Sequence, residues 1–161
     1  MQTLTRLADF LPEHPAVTFV PFHTAHVSVM KLPDFQFDGM SKGVPVVQML
    51  EAQARMGHAI TALLHGRPVA CFGAVDLWNG VAEMWLLIEE RGRKYGKTLT
   101  RAAIGYRDFI VIAKNLHRLQ IIVRCADERA AKWGQTIGFE IESTMKHYGS
   151  DGSDFYLMRR I

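Results

Sequence analysis

Along this chain the spacing of hydrophobic and polar positions changes several times, and each change predicts a new element. Residues 1–15 (MQTLTRLADFLPEHP) read as a short amphipathic helical turn that ends at Pro12 and Pro15. Residues 16–22 (AVTFVPF) are dense in β-formers and predict a strand. Pro21 marks an edge or a strand end, because proline brings no N–H to a ladder. Thr24 is placed to N-cap a short helix running through Lys31. Residues 32–43 carry turn formers and read as a loop, and Pro45 suits the first turn of a helix over 44–56. Strand-like runs then take over. Residues 58–64 and 68–78 predict strands joined by the turn HGRP, and Asn79-Gly80 leads by a tight hairpin into a fourth strand, 81–88.

From Thr98 to His117 the apolar positions fall at Leu99, Ala102, Ala103, Tyr106, Phe109, Ile110, Ala113 and Leu116. Three-and-four spacing sustained this long predicts an amphipathic helix, with His117 and Arg118 placing positive charge at its C-terminus. Residues 119–125 form a strand, Asp127 caps a helix over 128–137 that Gly138 stops, and 139–148 with 154–160 form a last hairpin around 149–153. The order β, α, α, β, β, β, α, β, α, β, β predicts an α+β (mixed α/β) domain with a central, mostly antiparallel sheet. The strand 81–88, the long helix and the strand 119–125 form one βαβ unit, expected to be parallel and right-handed.

Composition narrows the class. With 161 residues, 48% hydrophobic and 22% charged, the chain reads as one globular domain in which 1–15 is an extension. Disorder, collagen and coiled coil are excluded as overall descriptions. No apolar run approaches the ~18–20 residues that span a bilayer, so no membrane role is expected. The N-terminus lacks a basic stretch followed by an apolar one, so the expected compartment is the cytoplasm. Cys71 and Cys125 each lie in an apolar strand-like run and are expected as free thiols, and no Cys/His cluster has zinc spacing, so no metal is expected. The net charge of +3 is uneven, with Arg91, Arg93, Lys94, Lys97 and Arg101 close together. Such a run is a solvated helix start or a site for phosphates. Aromatics are not interleaved with it, which argues against nucleic acid.

The junction LLIEERGRKYGKTLTRA, residues 86–102, is where strand gives way to helix through a basic, glycine-containing loop. Unpaired N–H groups at a helix N-terminus attract anions, and Gly96 leaves room for a ligand to approach the backbone. An ordinary βα connection that needs a glycine would look the same. The loop is neither a G-x-x-x-x-G-K-[ST] phosphate loop nor a G-x-G-x-x-G fingerprint.

The element order and this junction resemble the GNAT superfamily of acetyl-CoA-dependent N-acetyltransferases. Arg93-x-x-Gly96-x-Thr98 falls on the family's [QR]-x-x-G-x-[GA] signature, with Thr98 in place of Gly or Ala. Asp127 to Phe139 (DERAAKWGQTIGF) is similar to the family's N-x-x-A-x-x-x-Y-x-x-x-G-F, with Ala130, Gly138 and Phe139 matching, Asp127 for Asn and Gly134 for Tyr. The resemblance spans about residues 16–161. A-E-M-W in the fourth strand, the T-I-G-F ending and the G-S-D-G hairpin also resemble a divergent branch carried by short-tailed bacteriophages, some of whose members are internal virion proteins.

The resemblance implies the acyl-CoA N-acyltransferase fold, in which acetyl-CoA lies in a splay between the parallel fourth and fifth strands. Backbone N–H groups of Lys94, Tyr95, Gly96, Lys97 and Thr98, with Arg93, would take the diphosphate. Leu87 and Ile88 would offer main-chain groups to the pantetheine arm, a peptide N–H of the fourth strand would polarise the thioester carbonyl, and Asp127 would lie near the pantetheine. The acceptor would be a primary amine on a small molecule, peptide or protein, with residues 32–45 and 146–154 as walls. A second copy of the chain is a candidate partner. Amine attack needs a base, and Glu83 is the choice: it shares a strand face with Val81, Trp85 and Leu87, where desolvation raises a carboxylate pKa. A strand-edge carboxylate held by a neighbouring cation is the competing reading.

Gly134 leaves the leaving thiolate without the family's tyrosine. Water or another hydroxyl (Tyr148 or Tyr95) would protonate it, or it would leave unprotonated, or the domain has lost catalysis and kept a binding or virion-assembly role. Elsewhere, His58 and His65 read as surface or turn residues. His23 and His26 lie three apart on a helix with no third metal ligand in view. His147 and Tyr148 are candidates for the acceptor wall, and Trp85 and Trp133 read as core.

Overall fold

A computed structural model describes residues 6–32, 51, 52, 55 and 58–160. Seven strands form one sheet: β1 (Val17–Pro21), β2 (Ala59–Leu64), β3 (Arg67–Trp78), β4 (Val81–Ile88), β5 (Arg118–Arg124), β6 (Phe139–Met145) and β7 (Phe155–Arg160). Their spatial order is β1-β2-β3-β4-β5-β7-β6. Every neighbouring pair is antiparallel except β4 and β5. The α-helices whose bounds are described are α1 (Thr24–Val29), α2 (Gly96–Ala113) and α3 (Glu128–Thr136), and residues 51, 52 and 55 are also helical. The expected loop over 32–43 and helix over 44–56 fall almost wholly outside the described residues.

The strands follow the predicted runs to within a few residues. Pro21 ends β1, and β1 is an edge strand, as a residue without an N–H requires. Gly80 turns the β3–β4 hairpin with φ +80°, a conformation that favours glycine. Its carbonyl accepts from both His117 N–H (3.0 Å) and Arg118 N–H (3.1 Å), which ties the start of β5 to the hairpin.

Several boundaries differ, each for a local reason. The long helix spans Gly96–Ala113, starting two residues earlier and stopping four earlier than the periodicity predicts. Asn115 takes φ +48° and breaks the helix, so His117 and Arg118 bond to Gly80 rather than serving a helix terminus. The cation close behind the helix is Lys114, paired with Asp76 at 2.6 Å. The N-cap of α1 is His23, not Thr24. His23 Nδ1 accepts from Ala25 N–H (3.0 Å), while His26 Nδ1 accepts from His23 N–H (3.1 Å), a capping box built from two imidazoles. The N-terminal turn is a 3-10 turn, Leu7–Phe10, whose Phe10 packs edge-on against Phe109. His147 and Tyr148 lie in the β6–β7 turn rather than in the strand, with His147 at φ +55°.

The core lies between the sheet and α2. Leu99, Ala102, Ala103, Tyr106, Phe109 and Ile110 are buried against Phe72, Ala82, Met84, Leu119 and Met158. These are the helix positions that the three-and-four spacing selects, since one helical stripe faces one sheet face. On the other face, Met30, Cys71 and Leu87 form a smaller cluster beneath α1, joined by Phe22, Val27, Leu32 and Trp85. Cys71 and Cys125 are both free thiols, and burial pushes Cys71 up to about 11.

Candidate active site

Two parallel strands that part company make the site. The β4–β5 ladder holds for three residue pairs, Val81 with Arg118, Ala82 with Leu119 and Glu83 with Gln120, and then ends. Beyond Glu83 the strands diverge. A cavity of about 380 Å³ opens between them. Leu86 and Ile88 line it from β4, Ile122 and Val123 from β5, and Ala130 and Ile137 from the α3 side. Gly96, Leu99 and Thr100 close it from the first turns of α2. A mostly apolar slot with a few polar groups at its ends is the usual form of a small-molecule site.

Glu83 sits where the strands part, lining the cavity. Gln120 Nε2 donates to Glu83 Oε2 at 2.9 Å. Burial raises the Glu83 pKa above the ordinary carboxylate range, and the Gln120 hydrogen bond partly opposes this. Its described hydrogen-bond partner is a neutral amide. Among the described residues no Arg or Lys is paired with Glu83, so the competing reading of a carboxylate held by a cation has no partner there.

The loop that leads into α2 is a 3-10 turn, Glu90–Tyr95. Its start is anchored by Glu89, which is only 3% exposed. Glu89 accepts from Lys31 N–H at 2.9 Å and from Arg91 Nε, and its own N–H donates to Val69 at 2.8 Å. The helix opens at Gly96 with no side-chain cap from Tyr95. Gly96 takes ordinary helical angles, φ −54° and ψ −38°, so nothing in its backbone demands glycine. A Cβ built there meets nothing within 4 Å. The missing side chain therefore leaves space at the mouth of the cavity, next to helix N–H groups suited to an anion.

The other expected site residues divide. Ile88, Arg93, Gly96 and Asp127 line the cavity. Asp127 also caps α3, its carboxylate accepting from Ala130 N–H at 3.0 Å. Lys97 is exposed and Thr98 half-buried on the first turn of α2. Tyr95 turns its ring edge-on to His14 at 5.6 Å and packs against the core. Leu87 needs a correction by one residue. The Glu89 N–H bond to Val69 sets the phase of the β3–β4 ladder, so Leu87 directs its main chain toward Cys71. Leu86 and Met84 face the side from which β5 has departed. A ladder phase is fixed by hydrogen-bond pairing, which alternation of side chains does not reveal.

Trp85 and Trp133 pack against the core, as expected, and they also form walls of the cavity. Both line the cavity; Trp85 packs edge-on to Phe22 at 5.6 Å, and Trp133 Nε1 donates to Thr100 at 3.0 Å, bridging α3 to α2. His26 Nδ1 lies 2.7 Å from the Thr61 hydroxyl, and His23 caps the helix, so this pair serves structure. No group of three potential metal ligands occurs among the described residues. The sequence reading missed Arg124 and Arg129, which also line the cavity. Arg129 stands two residues after the capping Asp127, and only the fold brings it to the same cavity as Arg93.

Gly134 is packed against the sheet. A Cβ there would meet Ile121 Cδ1 at 3.0 Å and Met158 Cε at 3.1 Å, the ends of two flexible side chains that would have to give by a few tenths of an ångström. Tyr148, by contrast, stacks edge-on to the cavity-lining Phe155 at 5.5 Å. Burial and the Glu83 charge together raise its phenol pKa. The turn that carries it is braced: Asp154 accepts from His147 N–H and Lys146 Nζ, each at 3.0 Å, and Asp151 pairs with Arg124 at 2.9 Å.

No protein-family sequence profile matches this chain, and no curated protein matches it in sequence. Solved structures do match. Ard1 of Thermoplasma volcanium is 18% identical with a TM-score of 0.73, over 91% of this chain and 97% of that one. The ribosomal-protein-S5-alanine acetyltransferase of Vibrio fischeri is 13% identical with a TM-score of 0.69, over 92% and 94%. Salmonella typhimurium yncA, solved with its cofactor acetyl-CoA, is 12% identical with a TM-score of 0.64, over 89% and 92%. With the seven-stranded sheet and its parallel β4–β5 splay, these likenesses establish that the chain has the GNAT acyltransferase fold.

Proposed function

We propose that this protein is an acetyl-CoA-dependent N-acetyltransferase that acetylates a primary amine by direct attack. The observation that carries the reading is Glu83 at the apex of the β4–β5 splay, desolvated and held by a neutral amide, at the inner end of a slot whose outer end is a helix N-terminus. The residues fit the group: an apolar channel suits a pantetheine arm, and the open space at Gly96 suits a diphosphate. Acetyl-CoA, when bound, supplies an acetyl thioester and a thiol leaving group.

The chain's own residues then do the following. Backbone N–H groups from Lys94 to Thr98 and the Arg93 guanidinium hold the diphosphate. The main chain of Leu86 and Ile88 holds the pantetheine, with Asp127 near its path. A peptide N–H of β4 donates to the thioester carbonyl oxygen, stabilising the charge that grows there. Glu83 takes the proton from the incoming ammonium so that the nitrogen lone pair is free. Tyr148 is the hydroxyl suited to returning a proton to sulfur, because Gly134 offers none. Burial is the larger cause of the raised Tyr148 phenol pKa and the Glu83 charge the smaller, so protonation of Glu83 removes only the second of them. Tyr148→Phe is expected to lower kcat while leaving acetyl-CoA affinity unchanged; equal losses in both would remove Tyr148 from this role.

A second reading keeps the fold without the transfer, as in the binding or assembly proteins of the phage-like branch. Gly134, which brings no hydroxyl to the cleft, and Thr98 favour it. Calorimetric titration with acetyl-CoA, followed by a panel of amines, peptides and proteins with free amino groups, separates the two. Saturable binding with transfer to any amine supports the enzyme. Saturable binding with no transfer across the panel favours the binding protein, and absence of binding at millimolar acetyl-CoA removes both the cofactor and the reaction.

A further inference from the structure

Arg124, the last residue of β5, stands where that strand has already left β4, and it lines the cleft. Its side chain reaches across to the turn that carries Tyr148. Arg124 Nη1 donates to Asp151 Oδ2 and to Ser153 Oγ, each at 2.9 Å. Asp151 Oδ1 in turn accepts from Ser153 N–H at 3.0 Å and from Ser153 Oγ at 2.6 Å. The same guanidinium lies 5.3 Å from the centre of the Phe155 ring, against which Tyr148 packs edge-on at 5.5 Å. Gly149, next to Tyr148, is buried against this cluster: a Cβ there would meet Asp151 Oδ1 at 2.7 Å and the Phe155 ring at 2.9 Å. One guanidinium therefore holds both the turn beside Tyr148 and the ring on which Tyr148 leans. Tyr148 itself is 50% exposed.

We infer that Arg124 is a positioning residue for the reaction: through Asp151, Ser153 and Phe155 it keeps the Tyr148 hydroxyl at the cleft, within the field of Glu83. This rests on the proposed function only for what Tyr148 does there, which is to return a proton to sulfur. Such a transfer needs donor and acceptor within hydrogen-bond reach, and a misplacement of about 1 Å can cost about a hundredfold in rate. The bonds from Ser153 and Arg124 hold the Asp151 carboxyl well below the usual carboxylate range, so the anion of this pair persists wherever Glu83 is ionised. Arg124 Nη2 is buried with no hydrogen-bond partner among the described residues, and the described bonds to the turn all run through Nη1. A lysine, with a single nitrogen, can therefore stand in for the guanidinium here.

Carbon-13 NMR of the full chain, with tyrosine labelled at Cζ and titrated with alkali, tests this. The chain has four tyrosines, and Tyr148→Phe identifies the Tyr148 resonance. In the wild type, burial first and the Glu83 charge second raise this phenol above the ordinary tyrosine pKa of about 10. Asp151→Ala and Arg124→Met are both expected to bring it down toward about 10, and Arg124→Lys to keep it at the wild-type value. The shared direction is decisive because the two variants remove opposite charges. Acting only through space, loss of the Asp151 anion would lower the phenol pKa, and loss of the Arg124 cation would raise it. Lys146, His147 and Asp154 on the same segment, and Glu83 across the cleft, are the same in every variant. Should Arg124→Met fail to fold, Asp151→Ala at about 1 M salt decides, since charge effects are then screened within about 3 Å. A drop that persists there, relative to the wild type at the same salt, reports displacement; a drop that vanishes reports charge and overturns the inference. An unchanged Tyr148 pKa in Asp151→Ala, or shifts of opposite sign in the two variants, also overturns it and leaves the proposed function standing. If the wild type fails to bind acetyl-CoA in calorimetry, the proposed function falls and removes this role with it, whatever the resonance does.

Discussion

Glu83→Gln is expected to lower kcat by ~10²–10⁴-fold, the usual contribution of a positioned general base, while acetyl-CoA affinity stays within a factor of about two. The amide keeps the shape of the side chain and a hydrogen bond with Gln120, so the β4–β5 junction survives. What disappears is the group able to take the ammonium proton. The pH dependence carries its own sign. Glu83 works as the carboxylate, and burial raises its pKa. Wild-type kcat/KM should therefore rise with pH through that raised pKa, and the Glu83→Gln variant should lack this limb. Stability moves the other way. With a folded pKa above the unfolded one, Glu83 supports the fold most fully below its unfolded pKa, and that support is lost as pH rises through the folded pKa. At neutral pH the variant should thus melt at the wild-type temperature or slightly above it. A small rate loss with the acidic limb retained would remove Glu83 as the base.

Much of this site was readable because its parts repeat local rules. The three-and-four spacing of Leu99, Ala102, Ala103, Tyr106, Phe109 and Ile110 named the face of α2 that is buried. The alternation around Asn79-Gly80 gave β4 its bounds, and Glu83 could be singled out as a carboxylate on an apolar strand face. What stayed hidden was relational. Which β4 residues turn their main chain to the cleft depends on the hydrogen-bond phase with β3, and side-chain alternation alone does not tell Leu87 from Leu86. Arg129 has nothing local to mark it, since its place in the cavity lining depends on where the fold sets the start of α3. The His23–His26 capping box was obscured by Thr24, a better capping residue by propensity than histidine. Gly134 reads as a departure from a motif, and only the fold shows that its Cα faces the side-chain ends of Ile121 and Met158.

Gly96→Asp is expected to weaken acetyl-CoA binding by about a hundredfold or more, because like charges set against each other cost several kcal/mol. The argument depends on separating binding from folding, and Gly96 allows that separation. Its angles are those of an ordinary helical residue, and a Cβ there touches nothing within 4 Å. An aspartate at the first position of α2 also suits the helix dipole, worth about 0.3–1 kcal/mol in favour of the folded state. The variant should therefore melt no lower than the wild type while losing its ligand. Gly96→Ala adds a methyl group without charge, and Gly96→Asn adds the bulk of aspartate without charge, so the series divides the loss into space and electrostatics. If occupancy of the space by the diphosphate dominates, alanine already weakens binding; if charge dominates, asparagine binds far better than aspartate. Wild-type affinity in Gly96→Asp would place the diphosphate elsewhere and leave the open corner at the start of α2 without a ligand.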